Sequence, residues 1–430
     1  MTDWLEALPA RLDLADLHSS LSDVSLTSMN LLNEIADRFP TALSFAAGRP
    51  YPGSFTLDDL HRYIKTYCEY VGDEARNRLF QYGATKGIIP DLIARNLAVD
   101  EEILVDPESI VVTVGCQEAL FMVFRALRRS ERDVLLAVSP AYVGMTGAAR
   151  LVDLPVVPVE SGADGIDLDD LVAKIRQTRA AGLRPRACYL VPDFANPTGL
   201  SLEVETRRWL LDCAAEHELL IVEDNPYGLF GEEGVRLPTL KSLDHHGSVV
   251  YVGSYAKTAL PGARVGFVVA DQRVRGAGMF ADELSKIKSM LTVNTSPVSQ
   301  AVIGGKLLES DFSLRTANAT DIARYRGNLQ LLLDGLAIRF PGSSLVRWNR
   351  PRGGYFAVLT TPFPVDAAVL EYSARQHGVI WTPMHHFYGA EGGLRQLRLS
   401  CSSLAPHDIE TGLDRLASMV SDLHETGWTP

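Results

Sequence analysis

Between residues 134 and 270 the chain alternates short apolar runs with segments of helical periodicity. The runs are VLLAVSP (134–140), ACYLVPD (187–193), LLIVED (219–224), VVYVGS (249–254) and RVGFVVA (264–270). Between two of them, EVETRRWLLDCAAEHE (203–218) places Leu210, Leu211 and Ala214 on one side of a helix. Runs that are apolar at nearly every position need cover on both faces, and helices between consecutive runs supply it. The pattern predicts an α/β chain with a largely parallel sheet between helices. In such sheets ligands bind beyond the carboxyl ends of the strands, so polar residues that follow the apolar runs are the candidates for a site.

The flanking sequence is different. Residues 1–40 are polar and weakly helical, and SFAAGRPYPGSF (44–55) is a Gly- and Pro-rich loop. Residues 57–129 read as helical, interrupted by QYGATKG (81–87) and SIVVTVG (109–115). Residues 311–340 read as a long helix, and GGYFAVL (353–359) and LRQLRLSCS (394–402) belong to a smaller α+β unit. The expected organisation is an N-terminal arm or small-domain segment (1–43), a large domain (44–310) and a small C-terminal domain (311–430).

The formal net charge of −12 argues against nucleic acid as the main partner, because phosphate neutralisation needs a basic surface. The five cysteines (Cys68, Cys116, Cys188, Cys213, Cys401) are scattered, odd in number and form no CxxC. They read as reduced thiols, with no disulfide framework and no metal site. No signal peptide is read in MTDWLEALPARLDLADLH, and no apolar stretch reaches the roughly 18 residues that span a bilayer. A cytoplasmic protein without membrane contact is expected.

The sharpest residue is Lys257, in GSYAKTALPGARVGF (253–267), between two runs that read as buried strands. It has several readings: a surface lysine, a phosphate-binding lysine, or a Schiff-base lysine whose amine condenses with a carbonyl. A P-loop would need Gly before the lysine, and Ala256 stands there. Asp224 ends LLIVED, as a solvated strand end or a partner for a cation. Alternation on a strand keeps Glu223 and Asp224 from facing one ligand together. ANPTG (195–199) is a turn that offers the amide of Asn196. TVGCQEAL (113–120) joins a strand-like run to a helix, whose N-terminus presents free backbone N–H groups to a phosphate or is an ordinary turn.

Together, a lysine for an aldehyde, an acid for a ring nitrogen, Asn and Tyr for a ring hydroxyl, and a helix end with Arg for a phosphate match the surface of pyridoxal phosphate. In order, NPTG, D-N-P-Y (224–227), S-Y-A-K and P-G-x-R-x-G resemble the fold-type I, class I/II aminotransferases over roughly residues 44–402. Within that superfamily, QYGATKG and AYVG resemble the subgroup of kynurenine/2-aminoadipate aminotransferases and MocR-type regulators. SFAAGRPYPGSF resembles the 3,5-dihydroxyphenylglycine transaminases of glycopeptide-antibiotic assembly.

The resemblance implies roles. Lys257 binds the cofactor carbonyl and then shuttles the proton, while Asp224 keeps the pyridine nitrogen protonated, which makes the ring an electron sink. Asn196 and Tyr227 donate to the ring's phenolic oxygen, and Tyr142 stacks on the ring. The amides of Cys116 and Gln117, with Ser254 and Arg264, hold the phosphate. Tyr82 reaches the phosphate from a neighbouring subunit, which implies a homodimer. Arg398 clamps the substrate α-carboxylate, and Gly48 lines the substrate pocket. Arg49, Tyr51, Tyr355, His385 and His386 lie in stretches that could line the side-chain pocket or be ordinary loop surface.

The implied activity moves an amino group between an α-amino acid, aromatic and specifically an arylglycine, and a 2-oxo acid; the alternative is a kynurenine/2-aminoadipate-type or broad-specificity aminotransferase. Val114-Gly115-Cys116 departs from the family's commoner Ser-Gly, which removes a hydroxyl donor from the phosphate cup. GIIPDLIAR (87–95) departs from G-x-x-x-L-R, so that helix is expected to start differently. Two rivals share the cofactor: another pyridoxal phosphate reaction (decarboxylation, oxidation or C–S cleavage), and a non-catalytic effector domain. A basic DNA-binding segment before residue 44 is not seen.

Overall fold

The computed structural model describes residues 12–23, 26, 28, 34–162, 165–232, 234–342, 346–388 and 392–425. Most of the first forty residues read as a weakly helical arm lie outside this set or form short turns, among them Leu14–Asp16 and Ser19–Ser22.

Seven strands form the central sheet: β2 (Ile110–Thr113), β3 (Asp133–Ser139), β4 (Val156–Glu160), β5 (Arg184–Leu190), β6 (Leu220–Asp224), β7 (Val249–Ser254) and β8 (Gly266–Val269). The first strand of the chain, β1 (Leu43–Ser44), is not among them. The order is β2-β8-β7-β6-β5-β3-β4. Strands β7, β6, β5, β3 and β4 run parallel, while β8 is antiparallel to both of its neighbours. Buried aliphatic side chains pack on both faces: Val111, Val222 and Val250 in one core, and Cys188, Ile221 and Val249 in another. That double burial is why the runs read as continuously apolar. The amphipathic helix of the sequence reading spans Val204–Glu216, with Leu210, Leu211 and Ala214 buried.

The second sheet has the order β12-β13-β10-β9, built from β9 (Arg347–Trp348), β10 (Phe356–Thr360), β12 (Thr382–Pro383) and β13 (Gln396–Ser400), all antiparallel. Its core joins the helices Ala319–Arg339 and Pro406–Glu425 to Ile35, Phe45 and Ala46. The 311–340 segment is thus a short turn of helix, Leu314–Ala317, followed by the long helix. β1 pairs in parallel with β11 (Val379–Ile380). These two form a sheet of their own, and Phe45 and Ala46, which follow β1, pack in the core of the second sheet, so the Gly- and Pro-rich loop sets out from that core. Among the described residues no helix is long and apolar enough to cross a membrane.

One buried ion pair fixes the turn after β5. Arg207, on the amphipathic helix, donates to both carboxylate oxygens of Asp193 (2.5 and 3.1 Å) and to the carbonyls of Pro192, Leu202 and Pro238. Its guanidinium is wholly buried. Asn196 sits three residues beyond Asp193, so its position is inherited from this clamp. Asp193→Ala leaves a buried guanidinium uncompensated and is expected to lower the unfolding free energy by about 3–5 kcal/mol in chemical denaturation. A loss below about 1 kcal/mol would show that the carbonyls alone hold the arginine.

Candidate active site

The carboxyl ends of β2, β3, β5, β6 and β7 face one cavity of about 210 Å³. β8 runs the opposite way, so the residues that precede it, Arg264 among them, reach the same edge. The cavity wall brings together Cys116, Gln117, Tyr142, Asn196, Asp224, Tyr227, Ser254, Lys257, Arg264, Gly48 and Arg398. Of the residues carried over by resemblance, Tyr82 is the exception. It is 86% exposed and stands in an open groove with Phe80, Asn294 and Pro297.

Asp224 is the last residue of β6, and the alternation expected there is what the structure has. Glu223 points to the opposite face, where its two oxygens accept from the amides of Leu240 (2.8 Å) and Lys241 (2.7 Å). Asp224 points into the cavity and accepts from the hydroxyl of Tyr189 at 2.8 Å. Burial pushes its carboxyl up to about 6, against the lowering effect of that hydrogen bond. Its second oxygen, Oδ1, is buried and has no hydrogen-bond partner among the described residues. A protonated ring nitrogen is the kind of donor such an atom needs.

Lys257 follows β7. Its ammonium donates to the carbonyl of Gly48 at 2.7 Å and lies 5.9 Å from the Tyr227 ring centroid. Burial lowers its pKa to about 8; Cys116 opposes the shift, and Arg398, Arg264 and Arg49 add to it. A lysine with that value is partly neutral near neutral pH and able to attack a carbonyl or take a proton.

The phosphate end is shaped by backbone. The helix Gly115–Leu127 starts at a residue with φ +72, after Val114, which offers no side-chain cap. A Cβ on Gly115 would lie 2.5 Å from Nη2 of Arg264. Arg264 itself holds a left-handed conformation, φ 52 and ψ 47, at the end of a short 3-10 turn. Such a residue costs roughly 1–2 kcal/mol, which is tolerated where function fixes the geometry. The hydroxyl missing from Val114 leaves backbone amides, the Ser254 hydroxyl and the Arg264 guanidinium as the donors to an anion. The side chain of Gln117 is used elsewhere, donating to the carbonyl of Gly144 at 2.6 Å.

Arg398, on β13, enters from the second sheet. It donates to Oδ1 of Asn196 (2.5 Å), to the Ala46 carbonyl (2.7 Å) and to Oγ1 of Thr382 (3.2 Å). Its guanidinium lies over Phe356 (4.4 Å to the centroid) and Phe387 (5.1 Å). Burial lowers its pKa to about 10, so it stays charged at neutral pH. Its Nε is buried without a partner. Because Asn196 accepts through Oδ1, its amide N–H₂ is the part left to donate into the cavity.

Of the five residues considered for the side-chain pocket, only Arg49 lines the cavity. Tyr355 is fully buried against Tyr227, Phe230 and Tyr325, behind the wall. Tyr51 lies under Arg324, with its amide on the Tyr325 hydroxyl at 3.0 Å. His385 and His386 stack on each other, and Nδ1 of His386 meets Oγ of Ser28 at 2.8 Å. Ala46, Ala47, Val143 and Phe387 line the wall instead. The sequence reading also missed Tyr189, whose signal is the pairing of β5 with β6, which neither run carries by itself. Tyr189 pairs with Val222 across β5 and β6, which puts it on the face that Asp224 shares two residues on.

The site is thus a lysine, a buried carboxylate with one unmet oxygen, an anion cup at a helix start and a buried arginine, which is the donor set that pyridoxal phosphate and an amino-acid carboxylate require. The chain belongs to the family described as "Aminotransferase class I and II", whose model matches residues 59–416. It is 55% identical, over 96% of both chains, to an (S)-3,5-dihydroxyphenylglycine transaminase of Amycolatopsis orientalis. It is 32% identical to a 2-aminoadipate transaminase of Thermus thermophilus, over 89% of this chain and 91% of that one. The solved structure of an α-aminoadipate aminotransferase from Thermus thermophilus, in complex with N-(5'-phosphopyridoxyl)-L-leucine, superposes with a TM-score of 0.81 at 29% identity. That match covers 96% of this chain and all of the other. The protein is a fold-type I, pyridoxal-phosphate-dependent transaminase that moves an amino group between an amino acid and a 2-oxo acid.

The buried Asp224 carboxyl supplies a signed test in cofactor-free protein. Its folded pKa, about 6, lies above the ordinary 3.8. Below about pH 4 both folded and unfolded forms are protonated and the group is neutral to stability. Above about pH 6 the ionised, buried form costs the folded state about 3 kcal/mol, at about 1.4 kcal/mol per pH unit. Asp224→Asn is therefore expected to stabilise cofactor-free protein at pH 7.5, with the gain vanishing towards pH 4 in paired thermal unfolding curves. An equal gain at both pH values would mean that ionisation is not its source.

Proposed function

We propose that this transaminase takes an arylglycine, with 3,5-dihydroxyphenylglycine as the specific candidate, as its amino-acid partner. The observation that carries the reading is the 55% identity over 96% of both chains to a transaminase named for that compound. The cavity supports it: its lining includes the apolar side chains of Ala46, Ala47, Val143 and Phe387, against which an aromatic ring can pack. We read the reaction, on the same resemblance, as a step of antibiotic assembly.

Pyridoxal phosphate supplies an aldehyde that receives the amino group and a ring that takes up the electrons released at the α-carbon. Arg264, Ser254 and the amides of Cys116 and Gln117 hold its phosphate. Asp224, oriented by Tyr189, holds the proton on the ring nitrogen. Tyr227 and Asn196 donate to the phenolic oxygen, and Tyr142 covers the ring face. Lys257 binds the carbonyl and moves the proton at the substrate α-carbon. Arg398 grips the α-carboxylate as a fork, and its contact with Asn196 places that carboxylate beside the cofactor. Gly48 lines the substrate side and accepts from Lys257 until the amine is engaged.

We read the protein as a cytoplasmic homodimer in which Tyr82 of one subunit reaches the phosphate site of the other. What supports this is the exposure of Phe80 (76%), Tyr82 (86%) and Met290 (84%), more apolar surface than a free loop needs. We also divide the chain into segment 1–43, large domain 44–310 and small domain 311–430. The separate cores of the two sheets, and the packing of Ile35 with the second, support that division.

Borohydride reduction of the holoenzyme is expected to fix the cofactor to the peptide that carries Lys257, and Lys257→Ala to abolish turnover. Label on another lysine would remove the assignment. Mixing Tyr82→Phe with Lys257→Ala subunits is expected to restore activity above either parent, through one site with both native residues. No recovery, with mixed dimers shown to form and the Tyr82 change shown to be damaging, would place Tyr82 outside the site. For the substrate, conversion of the cofactor from its aldehyde to its amine form is followed with single amino acids. 3,5-Dihydroxyphenylglycine is expected to exceed kynurenine, 2-aminoadipate and leucine in kcat/KM. A clear win for 2-aminoadipate or leucine would overturn the arylglycine reading and leave the transaminase intact.

A further inference from the structure

We infer that Arg49 is the residue that reads the substrate side chain, donating its guanidinium N–H groups to a ring hydroxyl. The inference rests on the arylglycine reading above and assigns the residue that enforces it. Four cationic side chains line the cavity: Lys257, Arg264, Arg398 and Arg49. The first three serve the carbonyl, the phosphate and the α-carboxylate, which every substrate of a transaminase presents. Those groups cannot tell one amino acid from another. Arg49 is the fourth, and the apolar residues of the lining, Ala46, Ala47, Val143 and Phe387, carry no side-chain hydrogen-bond donor.

The backbone under Arg49 is fixed on both sides. The carbonyl of Ala46 accepts from Arg398 (2.7 Å) and Thr382 (3.2 Å), and that of Gly48 accepts from Lys257 (2.7 Å). The carbonyl of Arg49 itself accepts from Oγ of Ser402 (2.6 Å). Gly48 lies so close to Phe356 that a Cβ there would sit 2.6 Å from the ring. The stem of Arg49 therefore starts from a set point on the cavity wall, and the residue is exposed. It is near enough to the reaction centre to lower the Lys257 pKa. A neutral phenol suits this position. Its ring packs on the apolar wall, and its hydroxyl oxygens accept from a planar donor fork at the edge.

Hydrogen bonds to a charged donor correspond to about 10- to 100-fold in selectivity. The test uses holoenzyme and the ratio of kcat/KM for 3,5-dihydroxyphenylglycine over phenylglycine, in wild type, Arg49→Met and Arg49→Lys. The wild-type ratio is expected to favour the hydroxylated ring, to fall about 10- to 100-fold in Arg49→Met and to recover in part in Arg49→Lys. Cofactor absorbance and thermal midpoint check that each variant is loaded and folded. Equal losses on both substrates, or an unmoved ratio, overturn the assignment while the arylglycine reading stands. A wild-type enzyme that prefers 2-aminoadipate or leucine overturns both. If the 2-aminoadipate preference then collapses in Arg49→Met, the arginine serves a distal carboxylate instead.

Discussion

The two halves of the site meet through one guanidinium. Arg398 belongs to β13 of the second sheet, yet its hydrogen bonds go to Asn196 beyond β5 of the central sheet and to Ala46 in the loop between the two. A buried cation is costly unless it is paired or hydrogen-bonded. Among the described residues no carboxylate pairs with it; a side-chain amide, a carbonyl, a hydroxyl and two aromatic faces compensate it. That arrangement leaves the charge uncancelled and directed at the cavity, as recognition of a carboxylate requires. The same set of contacts makes the position of the second sheet a determinant of site geometry.

The anion cup depends on what is missing from side chains. Gly115 can begin its helix with positive φ beside Arg264 because it lacks a Cβ. At Gly266, a Cβ would lie 2.6 Å from the carbonyl carbon of Gly115 and 2.7 Å from the amide nitrogen of Cys116. The first residue of the antiparallel β8 thus passes directly under the helix start. Reversing one strand in an otherwise parallel set brings Arg264 to the cavity and lets the backbone of the neighbouring strand close beneath the amides.

Much of this was legible in the sequence, because the strand runs are doubly buried and the polar residues follow them. The runs gave the α/β class, and the ordered residues from Asn196 to Arg264 pointed to one cofactor. The direction of β8 was not legible, since an apolar run carries no sign of its polarity. Nor was the role of Tyr189, which depends on which strand lies beside which. Loop side chains misled most. Tyr355 and Tyr51 sit in the right stretches, but their rings fill an aromatic cluster behind the wall, and His385 and His386 turn to each other and to Ser28. In a loop no periodicity fixes which way a side chain points, whereas on β6 the alternation of Glu223 and Asp224 could be read in advance.

That alternation has a structural consequence of its own. Glu223 and Asp224 are both buried carboxylates, one residue apart, and chemically near-equivalent. Sliding β6 by a single residue toward its carboxyl end would turn Glu223 into the cavity and set Val222 against the amides of Leu240 and Lys241. The glutamate's longer arm reaches two consecutive amides at the start of a short helix, with one oxygen for each. Those two amides act as a gauge that accepts the strand in one alignment only. The Asp224 carboxylate is held in place by the measurement made on its neighbour.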